Sequence, residues 1–241
     1  MFGEMSLVGF FMASPTMIVL AICSIVTVGF SIERILYFKS SGIDARHFMG
    51  ELTGYFRSGN LQAALDYCNK QQNPVGRVMS QGMTHLNRTR DEVQQRLDTA
   101  IDLETVEMER NLGVLGTMSN IAPLLGLFGT VVGIIRAFAD IARTGSGGGS
   151  VVAMGVSEAL MTTAAGIIVA VIATVAFNFF VRRIRTRTAH LEDARESFLT
   201  LWSQYQKQAR RNAAQKQAPQ QTQRPAPQNA PVEARQSDKT L

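Results

Sequence analysis

Glu158 is the strongest candidate for a functional residue in this sequence. It is the only Asp, Glu, Lys or Arg between Arg143 and Arg182, in a stretch that is otherwise apolar or small. A carboxylate inside such a stretch is costly to bury, and it usually faces a partner, a water-filled cavity or an ion path. Alternatively, Glu158 lies close enough to the end of the stretch to reach interfacial water, and the cost of its burial is then small.

Threonines form the second group of candidate residues. Thr130 precedes Ala142 by about 12 residues and Thr163 follows Val151 by about 12, which is about 18 Å at the rise of an α-helix. We therefore expect both hydroxyls at one level, where they could bond neighbouring helices or line a polar path for water and protons. Thr162 is a further hydroxyl, whose direction the sequence does not determine. The structural alternative is that the threonines bond back to their own helices.

Small residues beside Thr130 predict a close contact between helices. Gly129 and Gly133 have the spacing of a small-residue packing face, and Gly126 extends that face toward the preceding turn. Pro123 lies in the same segment, and proline lacks the N–H that a helix interior requires. We therefore expect helix packing at the glycines and a kink at Pro123.

These residues lie in two of three segments that are long enough to cross a membrane. No Asp, Glu, Lys or Arg occurs between Glu4 and Glu33, or between Arg110 and Arg136, and the third segment begins after Arg143. Each segment exceeds the roughly 20 apolar residues that a bilayer core requires. The first segment lacks the basic start of a signal peptide, so we expect it to be retained as a helix.

The distribution of basic residues predicts the orientation of the chain. Of the 24 Lys and Arg residues, ten lie between the first and second segments, twelve follow the third, two flank the short loop between the second and third, and none precedes the first. Basic residues are retained on the cytoplasmic side of short loops. The N-terminus is therefore expected outside, and the long loop and the C-terminus inside.

The net charge of +5 does not indicate nucleic-acid binding. A group of basic residues follows the third segment directly: Arg182, Arg183, Arg185 and Arg187. Membrane topology and anionic lipid headgroups explain basic residues at this position. We expect the lipid bilayer, and no nucleic acid, as the partner of this group.

No pattern in the sequence predicts an enzyme or a cofactor site. Cys23 and Cys68 are far apart, and His47, His85 and His190 lack the spacing of metal ligands. The glycine-rich stretch before the third segment lacks the Gly-Lys-Ser/Thr of a nucleotide-binding loop. Since no nucleophile has an adjacent base, we expect neither catalysis, nor a cofactor, nor a metal.

The expected fold is an all-α membrane protein with three transmembrane helices. Long cytoplasmic helical extensions are expected on the second and the third. Thr89 and Glu92 have the spacing of a capping box, which begins a helix. Because only Pro123 interrupts the pattern after this point, one helix is predicted from Thr89 to Ala142.

The region between the first and second segments is expected to form a small helical domain. Asn60 and Asn73 are typical helix-capping residues, and Pro74 suits a first helical turn. The tail is rich in Pro and Gln, which is typical of disorder. The predicted division is an outer N-terminus and first transmembrane helix at 1–39, a cytoplasmic helical domain with the start of the long helix at 40–110, the second transmembrane helix at 111–142, a short outer loop at 143–150, the third transmembrane helix at 151–181, a cytoplasmic C-terminal helix at 182–216, and a disordered tail at 217–241.

Two stretches of the second and third segments carry a specific pattern. The first, NLGVLGTMSNIAPLLGLFGTVVG, runs from Asn111 to Gly133, and the second, GVSEALMTTAAG, runs from Gly155 to Gly166. Both resemble the MotA/TolQ/ExbB proton-channel family, with the greatest similarity to ExbB and TolQ. The count of three apolar segments favours similarity to ExbB or TolQ over MotA, because MotA proteins look like proteins with four membrane spans. The motifs lean slightly to ExbB and do not separate it from TolQ.

The resemblance implies a subunit that forms a pentameric ring around an ExbD- or TolR-like partner. That partner is a single-span protein whose membrane Asp takes up and releases protons. Thr130 and Thr163 match pore-facing threonines of the family, Glu158 matches its glutamate in the third span, and Thr162 is an additional hydroxyl. The implied function is energy transduction by an inner-membrane motor that uses the proton-motive force, with a TonB-like or TolA-like protein passing the work to the envelope.

A structural membrane scaffold without ion conduction is the alternative. In that case the threonines and glycines pack helices, and Glu158 caps the outer end of the third span. The sequence does not distinguish proton from sodium transport, nor does it name the downstream machine.

Overall fold

The described part of the chain is built from α-helices. The computed structural model describes residues 15–40, 42, 44–144 and 149–217, and no β-strand occurs among them. The all-α fold class is therefore confirmed for this part. The helices are α1 Pro15–Ser40, α2 Ala45–Ser58, α3 Leu61–Lys70, α4 Pro74–Thr84, α5 Arg90–Glu109, α6 Leu112–Thr144 and α7 Gly149–Gln217.

Three of these helices are long and apolar enough to cross a membrane. They contain the candidate spans Pro15–Lys39, Leu112–Arg143 and Val152–Gln215, the last of which includes the polar second half of α7. The prediction of three spanning helices is confirmed on the criteria of length and composition. Of the predicted tail at 217–241, only Gln217 is described, as the last residue of α7; residues 218–241 lie outside the described residues, as do 145–148 of the predicted outer loop.

The prediction of a single helix from Thr89 to Ala142 is wrong, because the helix is interrupted once. Helix α5 ends at Glu109, and α6 begins at Leu112. Between them, Arg110 is extended and Asn111 has a φ of +62°, in the left-handed region. Asn enters this region more readily than most residues, because its short polar side chain bonds locally. The extension of the second span is therefore a separate helix.

The predicted helix starts of the small helical domain are confirmed. The side chains of Asn60 and Asn73 each accept a hydrogen bond from the backbone N–H three residues later, at 3.1 and 2.8 Å. Pro74 is the first residue of α4. At α5, the N–H of Thr89 donates to the Glu92 carboxylate at 3.0 Å, and the Glu92 N–H donates to the Thr89 hydroxyl at 3.3 Å. This is the expected capping box.

The small helices pack against the part of α7 that precedes Leu201. Up to this residue the chain forms one compact unit. The rings of Phe56 and Phe198 meet edge to face, with centroids 5.9 Å apart. A Cβ on Gly82 of α4 would lie 2.7 Å from the Phe198 ring, so no side chain fits there. An ion pair between Asp98 and Arg195 also joins α5 to α7.

Helix α1 is held at two levels. Near its beginning, Cys23 lies in a buried cluster with Ala122 of α6 and Ala170 of α7. Near its end, Arg34 is only 2% exposed, and its Nη1 donates to the carbonyl of Met108 at 3.3 Å. These contacts fix the polar end of α1 beside α5.

Candidate ion-path site

Gly126 of α6 lies in close contact with the backbone of α7. A Cβ on this residue would lie 3.0 Å from the carbonyl oxygen of Thr162 and 3.1 Å from the Cα of Thr163. Backbone atoms thus occupy the space of a side chain. Any larger residue at Gly126 must separate the two helices.

The same close approach continues along both helices. A Cβ on Gly129 would meet the Cβ of Thr162 at 2.8 Å, and one on Gly133 would meet the Cβ of Ala159 at 2.9 Å. On α7, a Cβ on Gly166 would lie 2.6 Å from a backbone carbonyl of α6. In the described residues, the glycine face of α6 therefore packs on α7 of the same chain.

Thr162 lies inside this contact. It is 1% exposed, and its hydroxyl lies 2.6 Å from the Ala159 carbonyl oxygen and 3.3 Å from that of Gly126. A hydroxyl has one proton to donate, so the shorter bond to Ala159 takes it. The sequence left the direction of Thr162 open, and the structure places it between the two helices.

Thr163 connects the two helices by a hydrogen bond. Its side chain is half-buried, and its hydroxyl donates to the carbonyl oxygen of Gly126 at 3.1 Å. Donation leaves the lone pairs of the hydroxyl oxygen able to accept a further bond. Thr163 can therefore accept a hydrogen bond from a donor outside the chain, while its own donated bond joins α7 to α6.

Thr130 lies on α6 outside the glycine contact. Its hydroxyl is exposed and donates to the carbonyl of Leu127 at 2.6 Å. The bond back to its own helix, which the sequence left as an alternative, is therefore present in the isolated chain. The neighbouring Phe128 and Val131 are 56% and 50% exposed. This part of α6 thus faces away from α7, and the oxygen of Thr130 keeps its capacity to accept.

Thr130 and Thr163 are offset along the helix axes within one chain. The residue that lies opposite Thr163 is Gly126, four positions before Thr130. At the rise of an α-helix this offset is about 6 Å, or roughly one turn. The expectation of a single level does not hold within the chain, because the contact between the helices is set by the glycines and not by equal distances from the loop.

Glu158 is half-buried near the beginning of α7. Among the residues that the structure describes, its carboxylate has no hydrogen bond and no ion pair. The next residue, Ala159, is buried against Gly133. The position of Ala159 keeps Glu158 at the margin of the helix contact, where another chain or water can reach the carboxylate.

Pro123 lies within α6, and the helix continues through it. It lines an open apolar groove of about 330 Å³ together with residues of α7 such as Ala170 and Thr174. The Thr174 hydroxyl donates back to the carbonyl of Ala170 at 2.7 Å. The groove therefore offers an apolar surface rather than a polar path.

Two buried arginines were not singled out by the sequence. Arg34 is 2% exposed and pairs with Glu33 at 2.6 Å, while Arg187 is 7% exposed and donates to the carbonyl of Phe38 at 2.6 Å. In the sequence, Arg187 is one of four similar basic residues that follow the third span. Only the rotation of α7 against α1 distinguishes it from its neighbours.

A scan against protein-family models matches residues 70–193 to the MotA/TolQ/ExbB proton channel family. The match includes all of α5 and α6 and the apolar half of α7. It covers slightly more than half of the 241 residues. The chain belongs to the MotA/TolQ/ExbB proton channel family.

This chain is also similar in sequence to curated proteins that carry the name ExbB. The biopolymer transport protein ExbB of Pseudomonas putida is 33% identical over 196 residues, which cover 78% of this chain and 59% of that protein. ExbB of Salmonella typhimurium is 35% identical over 153 residues, covering 64% and 61%. A putative ExbB homologue of Methanothermobacter thermautotrophicus is 31% identical over 155 residues, covering 64% and 55%. The chain thus spans about three-fifths of the length of these relatives.

Family membership confirms the resemblance recognised in the two sequence motifs. The region that matches the MotA/TolQ/ExbB family contains Thr130, Glu158, Thr162 and Thr163. The relatives described above carry the name ExbB, in agreement with the slight preference that the motifs gave. The roles of the individual residues in an ion path stay predictions.

Proposed function

We propose that this chain is the multi-span subunit of an energy-transducing complex in the bacterial inner membrane, driven by the proton-motive force. Copies of the chain form a ring, a pentamer, around an ExbD- or TolR-like single-span partner that carries a membrane Asp. The observation that supports this proposal most directly is Glu158, a carboxylate in a membrane helix of a proton-channel family without a partner in the described residues.

The exposed surface of the membrane helices supports assembly into a larger complex. On α6, Leu124 and Phe138 are each 63% exposed, and on α1 Ile25 is 73% exposed. Lipid covers part of such a surface in a membrane. Neighbouring copies and the partner cover the part of it that lies around Glu158, because a carboxylate does not remain facing hydrocarbon without a partner.

The proposed ion path uses the acceptor capacity of the threonine hydroxyls. Thr130 and Thr163 donate to backbone carbonyls, and both oxygens remain able to accept from water or from the protonated Asp of the partner. Glu158 attracts cations toward the outer entrance. Thr162 supports Thr163 by holding α7 close to α6.

The proposed orientation places the N-terminus in the periplasm and the C-terminus in the cytoplasm, as the basic residues predict. The transported ion is the proton. The work passes through a TonB-like or TolA-like protein to an envelope or outer-membrane process. The chain itself has no enzymatic role in this proposal and needs no cofactor.

The structural scaffold is the second candidate, and one observation favours it. The hydroxyls of Thr130, Thr162 and Thr163 all have a backbone acceptor within the chain. Threonines that are satisfied in this way can serve helix packing alone. A direct measurement of ion flux separates the two functions.

The test is proton flux in sealed vesicles that contain the chain with its ExbD- or TolR-like partner. An imposed membrane potential drives protons inward, and a trapped pH dye reports them. We expect flux with both proteins together, and none above background with either protein alone. Equal proton permeability of the complex and of empty vesicles would leave the scaffold as the function.

A further inference from the structure

A pocket lies between the polar end of α1 and the part of α7 that follows its apolar segment. Its volume is about 560 Å³, and basic side chains dominate its polar lining. Lys39 comes from α1, and Arg182, Arg183, Arg187 and His190 come from α7. The four α7 residues recur at helical spacing, so they form one stripe along the helix.

Arg187 forms the inner wall of this pocket. It is 7% exposed, its Nη2 donates to the Phe38 carbonyl at 2.6 Å, and its guanidinium lies 4.7 Å from the centroid of the Phe38 ring. The other terminal nitrogen, Nη1, is buried and has no hydrogen-bond partner within the described residues. A buried donor without an acceptor is destabilising, so an acceptor from the pocket would satisfy it.

The pocket has no carboxylate to supply that acceptor. No Asp or Glu is among the described residues that line it, although four basic side chains are: Lys39, Arg182, Arg183 and Arg187. Some arginines elsewhere in the described residues pair with carboxylates, such as Arg77 with Glu104 at 2.5 Å. Within the described residues these basic side chains have no carboxylate partner, and the pocket therefore suits an anionic ligand.

The position of the pocket narrows the class of anion. Arg182 is the first charged residue after Glu158, and Lys39 is the last residue of the candidate span of α1. Both therefore lie where the apolar helices leave the hydrocarbon. The phosphates of lipid headgroups occupy this level of a bilayer, and basic pockets between membrane helices bind them.

We propose that this pocket binds a phosphate group, which Arg187 Nη1 contacts from inside while Lys39 and Arg183 contact it from the open side. The group belongs to an anionic lipid headgroup or to a soluble phosphate. Arginine suits this role because its planar guanidinium donates in a fixed fork to phosphate oxygens. The acyl chains of a lipid would lie along the exposed Phe179, which also lines the pocket.

The test is native mass spectrometry of the full chain, purified in detergent and supplied with phosphatidylglycerol or with zwitterionic phosphatidylcholine. The variant Lys39→Gln/Arg183→Gln removes two exposed charges of the pocket and leaves the buried Arg187 in place. Arg185→Gln is the matched control, because Arg185 is exposed on the same helix and does not line the pocket. We expect the double variant to retain phosphatidylglycerol about tenfold less than wild type, and the control to retain it equally.

A second measurement distinguishes the sources of the phosphate. Thermal unfolding of the delipidated chain is followed with inorganic phosphate and with chloride at equal ionic strength. Stabilisation of wild type and Arg185→Gln by phosphate, absent from the double variant, supports a site open to soluble phosphate. Retention of phosphatidylglycerol without such stabilisation supports the lipid headgroup.

Two results would overturn the proposal. One is equal retention of phosphatidylglycerol and phosphatidylcholine by wild type, with no stabilisation by inorganic phosphate. The other is an equal loss of the anionic ligand in the double variant and in Arg185→Gln, which would show that the loss does not depend on the charges of the pocket. Both measurements are independent of ion conduction.

Discussion

At the scale of single residues, the three threonines differ in what a hydroxyl can still do. Thr162 is enclosed between α6 and α7, whereas Thr130 and Thr163 are both half-buried. The last two keep acceptor capacity toward another chain or water, and the first is limited to its own interface. If an ion path is present, its proton flux should depend on the hydroxyls of Thr130 and Thr163, and not only on the shape of these side chains.

Replacement of Thr130 or Thr163 by Val should lower proton flux in the assembled complex by about tenfold, if each hydroxyl contributes one hydrogen bond of about 1.5 kcal/mol to transfer. Val keeps the branched shape, so packing should survive. Thr174→Val is the control, because that hydroxyl also bonds back to its helix but lines an apolar groove. Flux is measured beside membrane abundance. If Thr130→Val and Thr163→Val both show wild-type flux at normal abundance, these threonines do not belong to the ion path.

At the scale of helices, the glycines of α6 fix how closely α7 approaches. Gly133→Leu should destabilise the chain by about 1–3 kcal/mol, because the new Cβ would already meet that of Ala159 at 2.9 Å. Crosslinking should then show a weakened oligomer ladder. Gly113→Leu is the control, since a Cβ there meets nothing within 4 Å. An unchanged ladder and unchanged stability in Gly133→Leu would mean that α6 and α7 separate in the assembled protein.

The beginning of α5 should respond to pH. Hydrogen bonds from the backbone and hydroxyl of Thr89 lower the pKa of the exposed Glu92 carboxyl, with a smaller contribution from the charge of Arg88. A pKa lowered by folding contributes stability above the unfolded pKa, and this contribution is lost as pH falls through the folded value. Hydrogen exchange of the first amides of α5 should therefore rise in acid, after correction for intrinsic rates. Glu92→Gln should lack this response, and a response equal to wild type would contradict the assignment.

At the scale of the whole molecule, one chain leaves much of its membrane surface without protein contacts. The central prediction is that the chain, purified with its ExbD- or TolR-like partner, forms a multimer of the mass expected for a pentameric ring. Native mass spectrometry after detergent extraction measures this directly, and the chain without partner should give a less stable assembly. A stable monomer in the presence of the partner would argue against the proposed function as a ring-forming subunit of an energy-transducing complex.

The sequence by itself determined those features that depend on local pattern. The three apolar segments follow from the absence of charge over lengths that a bilayer requires. The capping box at Thr89 and the caps at Asn60 and Asn73 follow from side chains that bond backbone groups three residues away. The family follows from two motifs, and the matched region contains both.

Only the tertiary structure decided which side of each helix meets another helix. Thr162 and Thr163 are adjacent in sequence, yet the contact with α6 buries the first and leaves the second accessible. The same holds for Arg187, which faces Phe38 while Arg185 faces away from the pocket. Such differences depend on the rotation and axial offset of whole helices. These are set by the sum of many contacts between residues far apart in sequence, which no local pattern encodes.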